Sequence, residues 1–163
     1  MSSVSNTIAA IVATAALSSS AVAPSLVNQK NIPLAMAQTI AQAALAQCES
    51  MGYKISVAVV DRAGLTLVIL RGDGAGMHTP EGAERKAYTA RTFSQPSADF
   101  VKRMTERPDT AGSVHYSRVL ALSGGLPIKA GNEVVGAVGV SGSPGKDDVC
   151  SQAGIDKVAD QLK

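Results

Sequence analysis

The chain has no tryptophan, and aromatic residues make up only 3% of its 163 residues. That scarcity counts against a conventional cofactor pocket walled by rings. No basic run with interleaved aromatics occurs, and a formal charge of +2 is too small and scattered to indicate nucleic acid. There are only 2 cysteines and no C-x-x-C spacing, which removes the common zinc and dithiol motifs. The glycine-rich stretch Gly72-Asp73-Gly74-Ala75-Gly76 lacks a Walker lysine. It also fails as a dinucleotide fingerprint, because Met77 and Thr79 stand where the third glycine would be needed. Gly139-Val140-Ser141-Gly142-Ser143 approaches a nucleophile elbow, but Ser143 replaces its closing glycine.

Charge is missing altogether from residues 1–23. Ile8 to Leu17 is a short apolar core, and Ser20-Ala21-Val22-Ala23 resembles a small-residue cleavage site. The segment is short for a membrane span. It reads as a secretory leader, which implies a periplasmic or secreted protein. A disordered Ala/Ser tail is the alternative, since no Lys or Arg precedes the apolar core and Pro24 follows the cut. Residues 24–30 read as linker and 31–163 as a single domain.

What remains is rich in small residues and punctuated by 15 glycines. Asn31-Ile32-Pro33 is expected to start a helix with Asn31 as its cap, Leu34, Ala37, Ala41, Ala44, Leu45, Cys48 and Met51 at helical spacing and Gly52 at its end. This helix is nearly uncharged on every side, which suggests cover by another subunit and hence a homo-oligomer. Alternation over Lys54–Asp61 and Leu65–Arg71 about the turn Asp61-Arg62-Ala63-Gly64 predicts a hairpin. A helix over Thr79–Phe93 follows, with Thr79 as cap, Pro80 in the first turn and a small stripe of Ala83, Ala87 and Ala90. Its cluster Glu84-Arg85-Lys86 reads as a solvated face. Ser97 is expected to cap a short helix through Met104, and Asp109–Ser117 reads as loop. Leu126–Lys129 and Val134–Val140 form a second hairpin. A last helix opens near Asp147-Asp148, with Ile155, Val158, Ala159 and Leu162 as its buried stripe. Helix, hairpin, two helices, hairpin and helix imply an α+β fold on an antiparallel sheet.

The candidate site is the stretch Gly72–Ala90. Glycines let the backbone approach a ligand, and a helix start favours an anion. His78, one of 2 histidines, lies at its mouth, with Asp73 near enough in sequence to orient it. His115 is the weaker second candidate, and Met77 and Met104 could pack on a flat apolar ligand. A capped strand-to-helix connection explains Thr79 and Pro80 without any ligand. Cys48 and Cys150 lie near the end of the first helix and the start of the last. Two antiparallel helices on one sheet face would join them, so a disulfide is expected in an exported chain.

Four segments together resemble the GlcG/HbpS family, which also includes the C-terminal domain of PduO. They are Val57–Gly64, then Gly72–Ala75 with Lys86–Ala90, then Gly124–Ile128, and Gly136–Gly142. The resemblance covers nearly everything from Asn31 to Lys163. It implies a profilin-like three-layer fold with a sheet of about five strands, homo-oligomers, and haem as ligand. It implies a redox-sensing partner for exported members. It also implies a threonine at the iron, which by motif position is Thr79, although His78 is chemically the better ligand. The haem site expected on this basis comprises His78, Thr79, Gly74, Gly76, Arg85 and Lys86, with His78 or Thr79 facing the metal. No catalytic residue is assigned. The alternative is a small enzyme or accessory protein for a carboxylated catabolite, with His78 or Asp73 moving a proton.

Overall fold

The structure is a computed structural model in which residues 25–163 are described. The expected leader, residues 1–23, lies outside them. Residues 25–30 are exposed and irregular. No described helix is long and apolar enough to cross a membrane.

Two hairpins build one antiparallel sheet: β1 (Ser56–Asp61) with β2 (Thr66–Arg71), and β3 (Gly125–Ala130) with β4 (Glu133–Ser141). The strand order is β2-β1-β4-β3, so the first and last hairpins meet along β1 and β4. The sheet therefore has four strands among the described residues, not the five the family resemblance implies. Val119–Ser123, a short apolar run before Gly124-Gly125, stays outside it because its amides are used elsewhere. Val119 donates to Tyr116, Leu120 to the Thr89 hydroxyl and Leu122 to Leu120.

Both inner strands are buried on both faces, which is why their apolar runs are nearly continuous. Val57 and Val59 of β1 and Val138 and Val140 of β4 join the main core on one face. There they meet Ala37, Ile40, Ala41 and Ala44 of α1 (Leu34–Ser50) and Cys150 of α4 (Asp147–Asp156). Val60 and Ala137 point the other way, onto Ala87 and Ala90 of α2 (Thr79–Phe93). The result is three layers, with α1 and α4 side by side on one face, α2 on the other, and α3 (Ser97–Glu106) against α2. Small side chains make this close. A Cβ on Gly139 would run into the Ala83 carbonyl and the Ala87 amide, so α2 sits directly on the backbone of β4.

Cys48 and Cys150 are bonded, with Cα atoms 5.6 Å apart, well within disulfide reach. The side-by-side packing of α1 and α4 brings them together as the sequence argument requires. Other local expectations are corrected. Asn31 does not cap α1; its Oδ1 accepts the amides of Ile32 and Arg62, each at 3.0 Å, and pins the chain to the first hairpin turn. Asp109–Ser117 is not mere loop, because Pro108–His115 winds as a 3₁₀ helix. Just before it, the Arg107 guanidinium bonds the exposed Asp109 carboxylate and holds that acid below its usual range. The last helix stops at Asp156. Val158 is buried as expected, but Ala159 is exposed in a short 3₁₀ turn, and Ile155 and Leu162 are half-buried.

Candidate functional site

The C-terminal end of β4, the glycine turn before α2 and the start of α4 converge on one cleft of about 480 Å³. That size falls within the range of small-molecule sites, roughly 300–1,000 Å³. Gly76, His78, Thr79 and Lys86 stand on its wall, and so do Lys54, Ser141 and Asp147. Four of the six expected site residues are thus brought together. Gly74 and Arg85 are not on this wall. Gly74 lies beside the Lys54 side chain, and Arg85 turns away to Glu81 and to the Val119 carbonyl. Asp73, Met77, Met104 and His115 are likewise off the wall.

His78 immediately precedes the first residue of α2 and is exposed. Its ring folds back over Gly76, where a Cβ would lie only 2.9 Å from Cε1. Glycine at this position thus leaves room for the imidazole at the mouth. Leu122 on the cleft wall is 53% exposed, so the rim carries apolar surface, and Met77, next to His78 but off the wall, is 90% exposed.

Thr79 has a different situation from the expected cap or iron ligand. It is buried, and its hydroxyl donates to the Gly76 carbonyl at 2.7 Å. Ser56 Oγ lies 2.8 Å away and must then donate to it, since a hydroxyl has a single proton. The threonine closes the glycine turn onto β1.

Lys86 overturns the solvated-face reading of its cluster. It is 4% exposed, and its Nζ donates to the Val140 carbonyl at 3.0 Å and to Asp147 Oδ2 at 2.7 Å. Asp147 is 7% exposed, and its other oxygen accepts the amide and hydroxyl of Ser143. Ser143 Oγ in turn lies 3.2 Å from Cys48 Sγ. A buried charge at this depth is tolerable only when paired and hydrogen-bonded, and this one is. Helical spacing carried the missing signal: Lys86 shares the face of Ala83, Ala87 and Ala90, the buried stripe itself. Nothing local in the sequence points to Asp147 as its partner.

Among the described residues, no three His, Cys, Asp or Glu side chains gather as a metal site. The cleft offers one imidazole, one buried ion pair, one exposed lysine and an apolar rim.

Residues 32–156 match the family model described as haem degrading protein HbpS-like. An uncharacterised 15.0 kDa protein from the dhaT-dhaS intergenic region of Citrobacter freundii is 32% identical over 119 residues, covering 72% of this chain and 84% of that protein. The solved structure of a double mutant of Streptomyces reticuli HbpS is similar with a TM-score of 0.76 and 37% identity, over 88% of this chain and 97% of that one. A PduOC–haem complex shares the fold with a TM-score of 0.70 and 21% identity, over 78% of this chain and 94% of that one.

Proposed function

The chain belongs to the HbpS-like family, and on that premise we propose that it is an exported, oligomeric haem-binding protein that carries or senses haem without transforming it. The observation that carries the reading is the lone His78 at the mouth of an apolar-rimmed cleft. A bare transition-metal ion needs three or four protein ligands, whereas haem iron takes its equatorial ligands from the porphyrin and asks the protein for axial ones. One accessible imidazole, with Leu122 for the macrocycle and Lys54 for a propionate, fits that requirement. Thr79 fits it less well, because its hydroxyl is already held by Gly76 and Ser56.

Other parts of the reading have separate support. The Cys48–Cys150 bond suits an oxidising compartment and, with the leader expected at residues 1–23, favours export. The nearly uncharged α1, with Leu34 52% exposed, favours a second copy as cover. A sensor protein as partner rests on the family alone.

Titration of purified protein with hemin tests the reading. A Soret band that saturates at stoichiometric hemin, and that is lost or shifted in His78→Ala, is the expected result. Free-hemin behaviour throughout would overturn it. The family's description favours a second reading, in which bound haem is degraded. Adding a reductant in air separates the two: a stable spectrum supports carriage, and progressive loss of the Soret band supports degradation.

A further inference from the structure

We propose that the inner end of the cleft is a carboxylate-binding subsite, with the Ser141 hydroxyl and the Lys86 ammonium as its recognition groups. Ser141 lies on the cleft wall and is only 8% exposed, yet its hydroxyl has no hydrogen-bond partner among the described residues. The neighbouring polar groups are satisfied: Ser56, Thr79, Ser143 and Asp147 all bond within the protein. The Ser141 oxygen is not sealed off from the cleft, so an acceptor entering there can accept its hydrogen bond in place of water.

Lys86 is held close by. Its Nζ bonds the carbonyl of Val140, the residue next to Ser141. An ammonium has three protons, and the protein uses two of them, on Val140 and Asp147. The third proton and the serine hydroxyl are then two donors on one wall, which suits the two oxygens of a carboxylate.

The surrounding charge agrees. Both α2 and α4 begin on this wall, at Thr79 and Asp147, so two positive helix ends converge there. Asp147 offsets Lys86, and Lys54 at the mouth leaves one cationic side chain in excess. That excess matches a monoanion better than a phosphate dianion.

The subsite deepens the haem reading without depending on it. The carboxylate is either a porphyrin propionate or a small free acid, and the test separates them. Wild type and Ser141→Ala are each titrated with hemin, with hemin dimethyl ester and with propionate, the last followed by amide shifts at Ser141 and Gly142. No described residue bonds the Ser141 hydroxyl, so the variant should keep its fold, checked by circular dichroism.

We expect Ser141→Ala to weaken hemin roughly tenfold and to leave the ester unchanged. Should the variant not fold, tighter wild-type binding of hemin than of its ester supports the subsite, and equal binding together with no propionate shifts overturns it. Ser141-dependent propionate binding with no effect on hemin assigns the subsite to a small free acid. The same propionate result with no hemin binding by wild type would sink the haem reading and leave the subsite standing. A folded variant that binds both hemin and propionate as wild type does would overturn the subsite.

Discussion

Lys86 and Asp147 meet 2.7 Å apart inside the protein, although 61 residues separate them in the chain. The contact ties α2 on one face of the sheet to the start of α4 on the other, around the end of β4. Removing one partner strands the other as a buried charge. Lys86→Met should therefore lower stability by about 3–5 kcal/mol. Urea denaturation measures it, and a loss below about 1 kcal/mol would show that the pair is solvated in solution.

The disulfide offers a second stability test. Closing a loop of about a hundred residues stabilises by up to roughly 4.7 kcal/mol in the chain-entropy model. Cys48→Ser with Cys150→Ser should thus lose about 2–5 kcal/mol. Alkylation of native protein should add no mass before reduction. Two alkylated thiols in protein recovered from an oxidising compartment would count against both bond and export.

Gly139→Ala should be far more harmful than its size suggests. The new methyl meets backbone of α2, which cannot swing aside as a side chain can. Overpacking of this kind costs about 1–3 kcal/mol or more. Gly112→Ala is the control, since nothing lies within 4 Å of the added atom there. Equal melting temperatures for the two variants would contradict the close seating of α2 on β4.

His78 and Thr79 should separate in function despite being neighbours. His78→Ala should change the hemin spectrum with little effect on stability, because the imidazole is exposed. Thr79→Val should cost about 1 kcal/mol per lost hydrogen bond and act on hemin only through the turn. A normal His78→Ala spectrum beside a lost Thr79→Val spectrum would reverse the assignment.

Much of the fold is written in local pattern. Alternation and turn residues mark both hairpins, and the Ala83-Ala87-Ala90 stripe marks the buried face of α2. The cap readings failed where a side chain found a more distant partner. Asn31 reaches Arg62, and Thr79 reaches Ser56, neither of which propensity can foresee. The site was half legible for the same reason. His78 is conspicuous as a residue type, and Gly76 as its companion. Ser141 and Asp147 come from the far end of the chain, and only the pairing of β1 with β4 brings them beside α2.

The bond between Cys48 and Cys150 also changes what damage means for this molecule. It encloses both hairpins, α2 and α3 within one covalent ring. The stretch from Arg107 to Ser117 lies inside that ring, has no fully buried residue and packs chiefly on α3. A protease in an extracellular setting would find its substrate there. A single cut would open the ring without releasing a fragment, and the cleft-forming strands would stay joined through sulfur. The nicked protein would run as one species on a non-reducing gel and as two after reduction. The cleft would thus outlast the first proteolytic event.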